Sequence, residues 1–530
     1  MFINKKIFKS YIISFVSVFL ITCFFSNNDI SAGQKGGTLK YGVKAKIPTY
    51  DPHATNSYGV MHYVPQHYST LLTFNWDNFP ELEGDVAESW NVSDDALTYT
   101  FNIRKGIKFH DGTALNAHDV KATYERLRNP PEGVISARKA LFSSINSIST
   151  PDDYTVVFKL SGTDGFLMQG FGSPYNSIYS VKDMAKGPKW HAKNINGTGP
   201  FRFVEHEEGK KWVAKRYENY HFDDVYLDGT IGYQIKKVAN PMKGGQIMAE
   251  WRAAVPPVVK DLKEKMGDKI SFQTMPMLSF MMITLNSKVE AFQDVRVRRA
   301  LTLCVDRYNG FPNLAKLTWT APTPAAGIMP GTFYAIPAKE LEKEAGFGRD
   351  MDANRAKAKA LLKEAGHANL KFKYSNRAVS HPYEQIAVFL IDQWKRCGVG
   401  VELISSPTPK WVAMRRSGGF DVTIDFVSGF LPDPTVLLQK FISKDRSPQN
   451  YSGYTDRKLD ELYDAQKQEA NPEKRKVIVH QFIKRNLELG WTIPMTFMNR
   501  TIALNSKVKG YKIAPSLVLN TDWRGVWVED

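Results

Sequence analysis

Bond-breaking chemistry needs particular side chains at particular spacings, and this chain holds few of them. His206-Glu207-Glu208 lacks the second histidine that a zinc-protease helix would carry. Asn196-Gly-Thr-Gly-Pro-Phe201 holds two glycines of a phosphate loop, but no lysine and no helix start follow. Asp94-Asp95 lies among turn residues, with nothing to set it opposite a second acid. No G-x-S-x-G elbow, H-E-x-x-H pair or zinc-type Cys/His spacing occurs. No catalytic residue, cofactor or metal is therefore expected. Binding asks for something else: a cleft with aromatic and apolar walls and a few placed polar groups. Arg377 ends the strand-like Tyr374-Ser-Asn-Arg377 and can grip a carboxylate with two bonds. Trp411 lies in a polar loop-to-helix stretch and suits a core or a ligand wall equally.

The elements that must hold these groups follow from periodicity. Tyr99, Phe101 and Ile103 alternate with Thr98, Thr100 and Asn102, the period of a half-buried strand. Lys105-Gly106 and Asp111-Gly112 are turns. Asn116 stands three residues before Asp119, close to a capping box, and opens a helix with Val120, Tyr124 and Leu127 on one face. Further strands are predicted at 154–160, 280–285, 370–374, 399–403 and 421–427. Helices are predicted at 295–307, 352–365, 382–397 and 456–469, and one more is capped by Asn471 with Pro472 in its first position. Strand-helix alternation in this last part favours an α/β lobe.

The 530 residues suffice for several domains. Lys5, Lys6 and Lys9 precede the apolar run Tyr11–Phe25, and Ile30-Ser31-Ala32 offers a cleavage site. The run falls short of the roughly 20 residues of a membrane span. Residues 1–32 thus read as a signal peptide and the chain as periplasmic. In a rival reading, Leu20-Ile-Thr-Cys23 is a lipid-attachment box and Cys23 an anchor. The net charge is +16; three lysines and one aspartate fall within residues 1–32, so the remainder keeps +14. This reads as a solvated basic face, typified by Arg296, Arg298 and Arg299. No stacked-aromatic basic motif points to nucleic acid. Cys304 reads as core beside Leu301 and Val305, and Cys397 closes a helix before Gly398. Two separate thiols are expected, a disulfide between them being the less favoured alternative.

The stretch Ala87-Glu-Ser-Trp-Asn-Val-Ser-Asp-Asp-Ala-Leu-Thr-Tyr-Thr-Phe-Asn-Ile-Arg-Lys-Gly-Ile-Lys-Phe-His-Asp-Gly-Thr113 is more specific than its pattern. It resembles the signature of the solute-binding proteins of family 5, the extracytoplasmic receptors of peptide and nickel ABC importers. Gly36-Gly-Thr-Leu39, Asp51-Pro-His53 and Asn196–Phe201 are similar to the family's wording, as is Leu285-Asn-Ser-Lys288 ahead of Phe292–Leu301. The resemblance spans nearly everything from Gly36 onward. It implies a two-lobed periplasmic binding protein fold of the α/β class with an additional domain. Its first domain would be discontinuous (33–60, 199–285 and 497–530), its second 61–198 and its third 286–496. Hinges near Asn286 and Pro494 would close the lobes on the ligand.

The resemblance also implies a site. The residues just after the D-P-H turn, here Asn56, Ser57 and Tyr58, line the family's cleft. Arg377 holds the strand end from which a ligand carboxylate is reached. Asp425-Phe-Val-Ser-Gly-Phe-Leu-Pro-Asp-Pro434 resembles the strand and loop that lie along the ligand, which adds Val427, Ser428 and Phe430. Peptide receptors of the family usually place an aspartate about three residues before the D-P aspartate, where it holds the α-amino group. Here Gly429 and Phe430 stand there, and Asp433 more often shapes the loop. The expected protein is a monomeric receptor, not an enzyme. It takes a small organic solute or peptide to an inner-membrane ABC permease and binds ordinary di- and tripeptides poorly. The alternatives are an exported receptor or chaperone of the same fold uncoupled from import, or a periplasmic hydrolase.

Overall fold

Alternation, caps and turns produce the elements expected of them, and two of the strands are far longer than the rest. The computed structural model describes residues 33–530 except 135, 137, 251–252, 520–521 and 530. The signal segment and Cys23 lie outside the described residues. In chain order the strands are β1 (Thr38–Val43), β2 (Ala87–Val92), β3 (Thr98–Ile103), β4 (Ile145–Asp152), β5 (Thr155–Leu160), β6 (Phe201–Glu207) and β7 (Lys211–Arg216). They continue as β8 (Gly229–Gln234), β9 (Ala249–Glu250), β10 (Ile270–Leu285), β11 (Lys371–Arg377), β12 (Gly400–Ser406), β13 (Val422–Val427) and β14 (Thr492–Asn505). The helices that bear on the site are α1 (Tyr58–Met61), α2 (Ala117–Arg128), α3 (Val295–Leu303), α4 (Gln385–Arg396), α5 (Thr408–Ser417), α6 (Arg457–Gln468) and α7 (Pro472–Leu489).

An eleven-stranded sheet runs β12-β11-β13-β10-β14-β9-β1-β8-β7-β6, with Thr320–Pro324 pairing β14 off this path. A separate antiparallel sheet runs β2-β3-β5-β4. On β3, Tyr99, Phe101 and Ile103 are buried, as their alternation requires. Asn116 caps α2 in a full capping box with Asp119, and Val120, Tyr124 and Leu127 face the core beneath. Tyr124 meets Phe142, Phe158 and Phe171 edge-on, with ring centres 5.2–5.3 Å apart.

β10 and β14 pair from Ile270↔Asn505 to Thr284↔Thr492, with register shifts between Pro276 and Met282. Ile270, Ile502 and Leu504, on one side of the shifts, pack with the first part of the chain. Phe280–Leu285, Ile493, Met495 and Phe497, on the other side, join the core of the third part. Phe280–Leu285 also pair residue by residue with β13. The packing therefore sets the crossing between lobes at Pro276–Ser279 and Met498–Arg500 rather than beside Asn286 and Pro494. The apolar run that reads as a first-domain strand has its partners in the third segment.

Two expectations are corrected. Cys304 and Cys397 form a disulfide, with their Cα atoms 6.1 Å apart. Each is the C-cap residue of its helix, α3 and α4, and Trp394 Nε1 donates to the Leu301 carbonyl at 3.1 Å, drawing the two helix ends together. No periodicity reports a contact across 93 residues. Arg298 is 5% exposed rather than solvated. It donates to the carbonyls of Leu489, Phe292 and Gln293 and lies 3.9 Å from the Trp491 ring centre. A long side chain on the margin of a helix face can turn inward when three carbonyls meet it.

A cross-link spanning 93 residues restricts the unfolded chain strongly, by about 4–5 kcal/mol on the chain-entropy account. The paired substitution C304S/C397S is expected to lower the denaturant midpoint, and added reductant to do the same for the native chain. Identical unfolding curves with and without reductant would show that the link adds nothing.

Candidate functional site

Residues 55–58 are held in place by a buried network. Arg126, on α2, pairs with Asp51 at 2.6 Å, and Tyr179 Oη donates to Asp51 at 2.9 Å. Arg126 also donates to His53 Nδ1 at 2.9 Å, so the His53 proton sits on Nε2, which donates to the Ser177 carbonyl. His53 stacks on Tyr179 at 4.1 Å, and Tyr179 stacks on His191 at 3.7 Å. The chain leaves this anchor at Thr55. Ser57 then caps α1, accepting from the Gly59 amide at 3.2 Å, and so serves the backbone. Asn56 Oδ1 accepts from Arg138, which also donates to the Thr55 carbonyl at 2.6 Å.

Arg138 is the centre of the first cluster. Its guanidinium lies 3.9 Å from the Tyr175 ring centre and 5.7 Å from that of Phe430. Phe430 meets Tyr175 edge-on. Burial pushes the guanidinium down to about 10. Tyr58 Oη and Ser428 Oγ share a hydrogen bond between the first part of the chain and the third. Gly429 lies against the crossing strand, where an added Cβ would stand 2.3 Å from the Leu278 carbonyl oxygen, so no larger residue fits. Asn56, Tyr58, Ser428 and Phe430 are thus brought together around an arginine that sequence reasoning missed. Arg138 falls in a stretch without helical or strand periodicity.

Arg377 and Trp411 join a second cluster. Arg377 donates to Thr408 Oγ1 and Tyr383 Oη, both at 2.9 Å, and lies 4.8 and 5.6 Å from the Tyr383 and Trp411 ring centres. Trp411 is 1% exposed, and its Nε1 donates to Thr423 Oγ1 at 3.3 Å. On β13, Val427 is buried on the same face as Asp425. Asp425 is fully buried between two cations, Arg415 of α5 and Lys440, the latter at 2.8 Å. Burial, reinforced by Arg415, lowers the pKa of the Lys440 ammonium, which Asp425 opposes. Tyr383, Arg415, Asp425, Lys440 and Tyr451 were not expected here. The alternation of β13 marks Asp425 as inward, but nothing in sequence signals the two cations that meet it. Among the described residues, no group of three or more His, Cys, Asp or Glu side chains could hold a metal.

Two lobes share one continuous sheet, and polar and aromatic groups of both face each other across the junction. That architecture is of the class that encloses a solute between lobes. The chain belongs to the bacterial extracellular solute-binding proteins of family 5, whose middle region matches residues 81–449. It is accordingly a solute receptor of the kind that serves ABC importers. Heme-binding protein A of Haemophilus influenzae is 25% identical over 483 residues, 85% of each chain. The periplasmic binding protein DppA of Helicobacter pylori, solved with the peptide STSA, has a TM-score of 0.77 at 22% identity, over 94% of this chain and 99% of that one. AgaA of A. tumefaciens R10, solved with agropinic acid, has a TM-score of 0.75 at 23% identity, over 93% and 99%.

Buried histidines of the first part of the chain carry a pH dependence: His191 in this network, and His67 and His110, whose rings meet the Phe201 and Gly199 carbonyls. Burial holds His67 and His191 down to about 3 and His110 down to about 4. The unfolded chain therefore binds these protons first as pH falls below about 6.5. Stability from them is full above that pH and falls toward the folded values, by about 2 kcal/mol each at pH 5. Melting temperature is expected to drop between pH 6.5 and 5, above the carboxylate range. His191→Phe, which preserves the ring stack, should make the drop shallower. A melting temperature flat across that window contradicts the assignment.

Proposed function

We propose that this receptor takes an organic solute bearing a carboxylate or similar acceptor, and that it needs no free α-amine on that solute. The observation that carries the reading is the guanidinium of Arg138, 5.7 Å from Phe430, where peptide receptors would hold an ammonium with an aspartate. A cation repels an ammonium, and a desolvated ammonium without a carboxylate is costly. Asn56, Tyr58, Ser428 and Phe430 then form one wall, and Arg377, Trp411 and Val427 the other. The breadth of related binding proteins supports this choice, since one is named for heme and another was solved with agropinic acid. The protein makes and breaks no bond. It works as three domains, the first discontinuous, that close about the crossing strands.

The chain is exported, losing residues 1–32 or beginning at a lipidated Cys23; intact-mass analysis of native protein should find one of these, and a full-length cytoplasmic chain would refute both. Ligand class is tested by thermal shift, because a ligand that binds only the folded state raises its melting point. Organic acids and N-acetylated peptides should stabilise the mature protein, and Arg377→Ala should weaken the effect about tenfold or more, the loss of a charged hydrogen bond. Strong stabilisation by free dipeptides but not by their N-acetylated forms would defeat the proposal.

A further inference from the structure

The second cluster holds more positive charge than its own carboxylate balances. Arg377, at the end of the strand whose Ser375 pairs with Thr423, approaches a ring that Arg415 also faces: its guanidinium lies 4.8 Å from the Tyr383 ring centre and 5.6 Å from that of Trp411. Four rings line the cluster: Tyr383, Trp411, Phe426 and Tyr451. The Arg415 guanidinium lies 4.1 Å from the Trp411 ring centre, 4.4 Å from that of Tyr451 and 5.5 Å from that of Phe426. Lys440 Nζ lies 4.6 Å from the Tyr451 ring centre. Among the described residues, Asp425 is the one carboxylate that pairs with Arg415 or Lys440. Two cations, Arg415 and Lys440, thus meet one anion, and a third, Arg377, lies 5.6 Å from the ring centre of Trp411, which Arg415 also faces.

The two inner cations are 7% and 8% exposed, so water screens them poorly. Arg415 Nε is buried and, among the described residues, meets no hydrogen-bond acceptor. A buried donor left unmade is costly, and an excess of buried positive charge more so. Both are relieved by one further anionic acceptor. The rings face the cations and cannot supply one, and Asp425 already spends its oxygens on Arg415, Lys440, Thr284 and the Phe426 amide.

The first cluster is also cationic, through Arg138. Its two members from the loop, Ser428 and Phe430, follow Asp425 by three and five residues. At no more than about 3.3 Å per residue, Ser428 lies within roughly 10 Å and Phe430 within roughly 17 Å of Asp425 along the chain.

We infer that the solute is a dianion: one carboxylate lies toward Arg138, and a second, within roughly 17 Å of it, enters the ring-walled cluster of Arg377, Arg415 and Lys440. Recognition of the second carboxylate is the work of Arg415 and Lys440 as much as of Arg377. This rests on the reading under Proposed function, of which it names the ligand class.

The test is titration of the mature, disulfide-intact protein with α,ω-dicarboxylates from succinate to sebacate and with the monoamide of each, followed by thermal shift and calorimetry. A diacid of intermediate length should bind at least tenfold more tightly than its monoamide, and shorter and longer diacids less tightly than the best one. Lys440→Met leaves Asp425 paired with Arg415; it should weaken diacid binding more than monoamide binding and bring the two within about threefold of each other. Its own melting curve verifies that it folds. Equal binding of diacid and monoamide by the native protein overturns the second anionic subsite and leaves the single-carboxylate reading standing. Failure of every diacid and monoamide, with stabilisation by free-amine peptides, overturns both. A Lys440→Met protein that folds and keeps the full preference for diacids removes Lys440 from the subsite and overturns the inference as stated.

Discussion

The pairing of β10 with β14 is the constraint on which the rest depends. Sixteen residues of one strand and fourteen of the other lie side by side through both lobes. At about 3.3 Å per residue each spans on the order of 50 Å, several times the reach of a usual strand. Everything that faces the junction is hung from this pair. β13 attaches to Phe280–Leu285 and thereby delivers Asp425 and Ser428, while β9 and β1 lie beyond β14 on the opposite side. The register shifts at Pro276–Met282 are the one irregularity in the pair, and they coincide with the change of core. A bulge loosens a ladder locally and increases its twist, so it is where two lobes on one sheet can differ in orientation.

The arrangement of the lobes is held by direct bonds as well as by the sheet. Arg475, on α7, grips Asp433 through two bonds of 2.9 Å, and both are almost wholly buried. The same guanidinium reaches the Gly165 carbonyl at 2.9 Å, and the Gly165 amide donates to the Lys467 carbonyl at 2.8 Å. Asp433 also caps the short helix that follows it, through the Thr435 amide. The D-P aspartate is therefore a keystone of the loop. It fixes the segment that carries Ser428 and Phe430 and, through Arg475, ties it to Gly165.

What sequence could and could not reveal divides along a physical line. Short-range regularities were legible. The alternation of β3, the capping box of α2, Asn471 and Pro472 at the start of α7 and the glycine after α4 each follow from neighbours within a few residues. The wording of 87–113 conveyed the family, and through it the fold. Long-range facts were not legible. The Cys304–Cys397 link, the inward turn of Arg298 and the meeting of Arg415 and Lys440 on Asp425 join residues whose proximity only the fold creates. The site divides likewise. The expected Asn56, Tyr58, Ser428 and Phe430 come together, whereas Arg138, around which they gather, lies in a stretch without periodicity.

Ser428, Gly429 and Phe430 show how packing limits what such a receptor can recognise. Gly429 has no room for a side chain, because the Leu278 carbonyl closes the space a Cβ would need. Its amide and carbonyl are occupied as well, by Ser279 Oγ and Ser516 Oγ. The next position, Phe430, is wedged against Tyr175 and lies over Arg138. An aspartate there would pair with that arginine before it met any ligand, since a buried guanidinium beside a carboxylate is a far stronger partner than a solute arriving from water. Aspartate at this position and an arginine at 138 are thus alternative solutions of one electrostatic problem. With the arginine in place, the ring is the neighbour that stabilises it without cancelling its charge.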